Sequence, residues 1–311
     1  MRIGVDLGGT KIEAVALASD GAVLSRERVA TPRGSYDGTI DEIVRLVRVL
    51  EPDGASDCAT VGVGTPGAIS PATGRIKNAN STWLNDRPLR EDLERALQRP
   101  VRLANDANCF ALSEAIDGAA AGARVVFGVI LGTGVGGGVV IDGAPWIGPN
   151  AIAGEWGHNP LPAPDPAEAP GSACYCGRTG CIETFLSGPG LERDFAKLSG
   201  ERLAAAEIVR RATENASGEA SAAAEALARY EDRLARALGT VINLIDPDVI
   251  VLGGGMSNTA RLYETIPRLW SRYVFSDRVD TVLRPPRHGD SSGVRGAAWL
   301  WNDARPGHSV T

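Results

Sequence analysis

The chain has 311 residues, 43% of them hydrophobic, and a formal net charge of −6. That length favours two hydrophobic cores over one, and the acidic balance argues against a nucleic-acid partner, which needs clustered Lys and Arg. The longest uncharged run, 125–141, holds six glycines and falls short of the roughly 20 apolar residues of a spanning helix, so no membrane partner is expected.

Asp6 arrives before a signal-peptide core could form, so a cytoplasmic protein is expected. Residues 3–8, 12–18 and 23–30 predict three strands, with turns at Gly9-Thr10 and Asp20-Gly21 that make them antiparallel. The sequence TIDE at 39–42 has capping-box spacing and predicts a helix from there toward Leu50. Residues 61–64 and 101–103 predict two more strands. Asn105-Asp106 follows the second and opens a helix that stops at Gly118. Further on come a Pro/Ala-rich loop over 160–173, an amphipathic helix over 222–244, and a strand over 248–252. Gly253-Gly254-Gly255 then precedes a helical stretch toward Trp270, and the last helix covers 293–301. The expected domains are a small lobe over 1–118, to which 293–311 returns, and a large lobe over 119–292.

One pattern occurs twice. Gly4-Val5-Asp6-Leu7-Gly8 laid over Gly128-Val129-Ile130-Leu131-Gly132 matches at four of five residues. Each copy runs into small residues, a second strand and an Asp-Gly turn, which predicts a duplicated strand-turn-strand unit. Glycines let backbone N–H groups approach an anion closely. The turns at Gly8, Gly9, Thr10 and Lys11 and at Gly132, Thr133, Gly134 and Gly136 therefore predict a two-sided phosphate clamp. It is not the Walker loop, which runs G-x-x-x-x-G-K-[ST] into a helix. Asp6 has Ile130 as its counterpart, so the repeat does not require an acid there. A carboxylate beside a phosphate turn predicts an intervening cation, and Mg²⁺ suits a site with few protein oxygens. Gly254 and Gly255 before a helical stretch likewise permit close backbone approach to a phosphate-bearing ligand.

Five cysteines are present, and Cys174, Cys176 and Cys181 fall within eight positions. With His158 they make a Cys₃His set, the closed tetrahedral arrangement of structural zinc. Cys58 and Cys109 are expected to be small core residues. Asp106 at a strand-to-helix junction suits either a helix N-cap or a general base, and spacing alone leaves both open.

The motifs DLGGTK, NDAN, LGTGVGGG, GEWGHNPL, CYCGRTGCIE and VLGGGMS, in this order, resemble the ROK family of sugar kinases over nearly the whole chain. NANSTWLN and HGDSSGVRGAAWLW look most similar to its bacterial fructokinase, or manno(fructo)kinase, branch. The resemblance implies a two-lobed α/β actin-like ATPase (ribonuclease H-like) fold with ATP between the lobes and zinc at the four positions above. It implies Asp106 as the base, Asn105 beside it on the sugar, and Asn80, Glu155, His158 and Glu183 on sugar hydroxyls. Zinc is then expected to position the flanks of the sugar pocket. Trp83 is expected in the core. The expected reaction is ATP-dependent phosphorylation of D-fructose to fructose 6-phosphate, with mannose as a second acceptor. Glucose and N-acetylated hexosamines stay open as alternatives, and a sugar-responsive repressor is a remote one, since residue 4 leaves no room for a preceding DNA-binding segment. Family members are often dimers, so a homodimer is the expected assembly.

Overall fold

The computed structural model describes residues 1–51, 59–214 and 221–302. Cys58 lies outside them. The chain opens with an antiparallel meander of β1 (Arg2–Leu7), β2 (Lys11–Leu17) and β3 (Val23–Ala30). Helix α1 (Tyr36–Leu50) follows, then β4 (Thr60–Thr65), the short pair β5 (Ala68–Ile69) and β6 (Ile76–Lys77), and α2 (Leu89–Leu97). β7 (Val101–Asn105) leads directly into α3 (Asp106–Ile116). β4 lies parallel to β1, and β7 parallel to β4, giving the order β3-β2-β1-β4-β7.

The pattern then repeats. β8 (Val125–Leu131), β9 (Val135–Ile141) and β10 (Ala144–Trp146) are followed by α4 (Ile182–Leu186), α5 (Gly188–Ser199), α6 (Ala205–Glu214) and α7 (Ala222–Ile245). β11 (Val249–Gly253), α8 (Arg261–Leu269), β12 (Val282–Arg284) and α9 (Ser292–Trp299) complete the chain. The second sheet has the order β10-β9-β8-β11-β12, and β8, β11 and β12 run parallel. Each sheet is therefore three sequential strands at one side and two later parallel strands at the other. The five-residue repeat falls at the same place in both, at the end of the central strand.

By contacts the described residues form two compact units. One takes in Met1–Gly122, Gly138–Ala153 and Asp290–Thr311, and the other Ala123–Gly137 and Gly154–Gly289. In the first, alternation along β1 sends Ile3, Val5 and Leu7 into a core with Ile43, Leu46 and Val47 of α1 and Leu89 and Leu93 of α2. The opposite face receives α9. A Cβ on Gly62 of β4 would stand 1.9 Å from the Ala297 carbonyl oxygen, and one on Gly296 of α9 would stand 1.6 Å from the Cys109 carbonyl oxygen of α3. A side chain at Gly62 would hold α9 off the sheet, and one at Gly296 would hold it off α3. Helix α1 begins earlier than the capping box at 39–42 suggests. Ser35 is its N-cap, with its hydroxyl accepting the Gly38 N–H at 3.1 Å. Thr39 is already one turn inside, donating to the Ser35 carbonyl at 2.7 Å.

In the second unit α7 is the central buried helix, with Tyr230, Leu234 and Leu238 fully covered. It also anchors the Pro/Ala-rich loop. Arg233 and Arg236 both bond the Glu168 carboxylate, and Arg236 donates to the Pro162 and Ala163 carbonyls. Burial alone would raise the Glu168 carboxyl, but the two guanidiniums and the Asp165 N–H outweigh it and hold it below its ordinary value.

Candidate active site

The candidate residues fall into two constellations, one in each unit. In the first, the 8–11 turn is pinned by its carbonyls. Gly8 N–H donates to the Lys11 carbonyl at 3.0 Å, the Thr31 hydroxyl and Arg33 donate to the Gly8 and Gly9 carbonyls at 2.7 and 2.8 Å, and Thr31 N–H donates to Thr10 at 3.0 Å. The sequence reading did not single out Thr31 or Arg33; the meander register places them there. Lys11 lies 4.0 Å from Glu13, a buried carboxylate that also pairs with Arg26 and Arg28.

Asp6 is the next-to-last residue of β1, opposite Glu13 and Gly64. Burial first, then the charges of Asp106 and Glu13, raise its carboxyl to about 7, against the pull of Lys11 and Arg28. Asp6 and Asp106 thus share one neighbourhood. Beside them Cys109 is fully buried, and its thiol is pushed well above the ordinary value by burial and these two acids, as a neutral core thiol requires.

At the start of α3 the Asn105 and Asp106 side chains both meet the Ala107 N–H. Asn105 is the N-cap of α3, with its side-chain oxygen accepting the Ala107 N–H at 2.9 Å. Its amide donates to the Gly67 carbonyl at 3.0 Å. Asp106 is the first helical residue and is exposed, and its Oδ1 accepts the same Ala107 N–H at 2.8 Å. Asn80 is exposed too, on a loop whose Ala79 is clamped at both N–H and carbonyl by Asn85, at 2.9 and 3.0 Å. Trp83 packs against the core, and its indole N–H reaches Thr39 at 3.3 Å.

In the second unit the 132–135 turn closes through Gly132 N–H on the Gly134 carbonyl at 3.0 Å. Its glycines differ in kind. A Cβ on Gly134 would stand 2.7 Å from Glu183 Oε2, and one on Gly254, whose φ is +78°, would stand 2.5 Å from the Leu131 carbonyl oxygen. The fold itself demands glycine at 254, whereas a Cβ at 134 would displace the Glu183 carboxylate. At Gly132 and Gly255 a Cβ would meet nothing within 4 Å, and at Gly9 only Ser81 Oγ at 3.4 Å. Neither packing nor a positive φ explains glycine at these three positions; close approach of a ligand would. Gly136 has another duty, accepting the Trp156 indole N–H at 3.0 Å. That bond docks the short 3₁₀ turn Trp156–His158, with exposed Glu155 before it, onto β9.

The ligand atoms of His158, Cys174, Cys176 and Cys181 all lie within 4.8 Å of one another. Cys174 Sγ is 3.5 Å from His158 Nδ1, and Cys176 Sγ is 3.6 Å from Cys181 Sγ. A zinc tetrahedron with bonds of about 2.3 Å to sulfur and about 2.0 Å to nitrogen has edges of about 3.5–3.8 Å. The four side chains fit that metal. Nδ1 faces the thiols, which turns Nε2 outward to hydrogen-bond Tyr175 Oη at 3.0 Å. One imidazole can thus serve the metal with one nitrogen and a hydroxyl with the other. Tyr175, which the sequence reading passed over, is 75% exposed and stands edge-on to His158. Partial burial, then Glu183 and Glu155, lift its phenol to about 12, so both carboxylates act on the same spot.

Two sheets of one topology, each carrying a glycine turn at the end of its central strand, define a duplicated phosphate-handling fold. The model of the ROK family matches residues 2–304, and the chain belongs to that family. An N-acetyl-D-glucosamine kinase of Photobacterium profundum is 41% identical over 304 residues, covering 96% of this chain and 99% of that one. One from Pectobacterium atrosepticum is 42% identical over 305 residues, 96% and 98% of the two chains. Among solved structures, the ROK hexokinase from Thermus thermophilus superposes with a TM-score of 0.83 at 32% identity, covering 96% of this chain and 97% of that one. A ROK family glucokinase from Streptomyces griseus in complex with glucose and AMPPNP gives 0.75 at 28%, covering 96% and 98%. The fold is the two-lobed actin-like ATPase fold, and the activity class is sugar kinase. Among the described residues no helix is long and apolar enough to cross a membrane.

Proposed function

We propose that this kinase transfers the γ-phosphoryl group of ATP to a hydroxyl of N-acetyl-D-glucosamine. The observation that carries this reading is the end-to-end likeness, at 41–42% identity, to kinases named for that sugar. It replaces the expectation of D-fructose. The two segments that suggested fructose do structural work. Trp83 and Asn85 of the first secure α1 and the Ala79 loop, and Ser292, Val294 and Ala297 of the second are buried in α9. They speak for the scaffold more than for the acceptor.

In this reading Asp106 accepts the proton of the sugar hydroxyl as its oxygen bonds to the γ-phosphorus. The bond from that phosphorus to the β–γ bridging oxygen breaks, and ADP leaves. Asp106 suits the task as an exposed residue fixed in the first turn of α3, its Oδ1 steadied by the Ala107 N–H at 2.8 Å. Gly9 and Thr10 of the first turn, Thr133 and Gly134 of the second, and the glycines at 254 and 255 offer N–H groups to the phosphates. Asp6 is a single donor, which fits Mg²⁺ held mainly by water and phosphate; the ion would screen phosphate charge. Zinc on His158, Cys174, Cys176 and Cys181 would supply fixed geometry, with no open position for chemistry. Asn80, Asn105, Glu155, His158 Nε2 and Glu183 are the proposed sugar contacts.

Mass spectrometry of a reaction with ATP and N-acetyl-D-glucosamine tests the proposal. It predicts a sugar monophosphate formed in step with ADP, and none with the sugar omitted. ADP formation without a phosphorylated sugar would refute it.

A further inference from the structure

Glu183 sits two residues after the zinc-set cysteine Cys181, in the first turn of α4, and Cys181 is the N-cap of that helix. Its carboxylate reaches away from the helix to the second phosphate turn. Oε2 accepts the Val135 N–H at 3.0 Å. The same oxygen would lie only 2.7 Å from a Cβ on Gly134, so a side chain there would push the carboxylate off. Oε1 lies 3.9 Å from Cys174 Sγ. A second tie comes from the same segment: Gly188 N–H, at the start of α5, donates to the Gly132 carbonyl at 2.8 Å. The stretch that leaves the metal cluster therefore grips the 132–135 turn at both ends. At its root, Ile182 N–H donates to the Asn159 carbonyl at 2.8 Å, next to His158.

We infer that Glu183 is a positioning residue that couples the cysteine-histidine cluster to the nucleotide turn, so that metal occupancy sets affinity for the phosphate tail as well as for sugar. The inference rests on the kinase reading above and deepens it. With Gly132 N–H spent on Gly134 and Val135 N–H spent on Glu183, Thr133 and Gly134 are the turn residues left to present N–H groups to a phosphate. Their direction depends on the two that are tied. A carboxylate accepting a backbone N–H is a strong, short-range tie. Loss of the metal frees the 174–181 segment, and with it the root of α4. Loss of the carboxylate frees Val135 directly. Either change lets the turn sample other conformations, and the phosphate must then select the competent one.

The test uses the full chain and measures binding of AMPPNP with Mg²⁺ by calorimetry in the absence of sugar. The proteins are wild type, Glu183→Ala, Glu183→Gln and Gly134→Ala, each zinc-loaded and zinc-stripped. Zinc stripping and Glu183→Ala should each weaken nucleotide binding on the order of tenfold. Their effects should not add, because they break one linkage. Glu183→Gln keeps an oxygen acceptor and should restore most of the affinity, whereas Gly134→Ala should behave like Glu183→Ala. Hydrogen exchange at the Val135 amide gives a readout that does not depend on activity. It should be slow in the loaded wild type and in Glu183→Gln, and fast in Glu183→Ala and after stripping. Unchanged nucleotide affinity in folded Glu183→Ala, or additive losses, would overturn the coupling while leaving the kinase reading intact. Failure of the wild type to bind AMPPNP would overturn both.

Discussion

The carboxyl of Asp6 links the stability of the first unit to its proposed chemistry. Burial and the charge of Asp106 move it from 3.8 to about 7, so in the ligand-free protein above pH 7 the folded state holds an ionised acid at a cost of about 4 kcal/mol, at about 1.4 kcal/mol for each pH unit of displacement. Below about pH 4 Asp6 is protonated in both folded and unfolded chains, and the cost vanishes. Between about 4 and 7 the unfolded chain has lost this proton while the folded chain keeps it, so stability falls as pH rises; above 7 it levels off. Asp6→Asn removes this slope. Denaturant unfolding of both proteins from pH 4 to 8, without nucleotide or divalent cation, should show the variant gaining on the wild type by about 1.4 kcal/mol per pH unit up to pH 7. The margin should then stay constant. The amide has its own packing cost, which offsets the margin but leaves its slope alone. The same variant should lose kinase activity. A margin that does not change with pH would refute the reasoning.

Asp106→Asn should retain sugar binding and lose turnover by about 10²–10⁴-fold; full activity by coupled ADP release would discard Asp106 as the base. Elemental analysis should find close to one zinc per chain, and chelation should weaken sugar affinity, whereas unchanged kinetics in metal-free protein would count against the positioning role. Two glycine substitutions should part company. Gly296→Ala, with its Cβ 1.6 Å from a carbonyl oxygen, should lower stability by about 1–3 kcal/mol or more; Gly255→Ala, which meets nothing within 4 Å, should melt like wild type yet bind nucleotide more weakly. Equal effects of the two on stability would contradict the distinction between packing and ligand glycines.

The repeat at 4–8 and 128–132 was legible because a turn that must let a backbone approach closely leaves glycine in the sequence, and the sheets follow the same order around both copies. The clustering of His158, Cys174, Cys176 and Cys181 was legible because thiols at such spacing have few other uses. Other features depend on contacts far apart in the chain. Glu183 reads as a sugar ligand from its motif, and only the fold brings it to Val135. Asn105 and Asp106 share the Ala107 N–H at the start of α3, an arrangement that spacing does not show. Thr31 and Arg33 support the first turn from β3's far end, with nothing local to mark them. Acceptor identity was the least legible, since the distinctive segments NANSTWLN and HGDSSGVRGAAWLW brace loops and helices.

Steady-state comparison of N-acetyl-D-glucosamine with D-fructose, D-mannose and D-glucose at saturating ATP bears most directly on the proposed activity. The account predicts that kcat/KM for the N-acetylated sugar exceeds each of the others by at least about tenfold. Equal or better phosphorylation of D-fructose would contradict it.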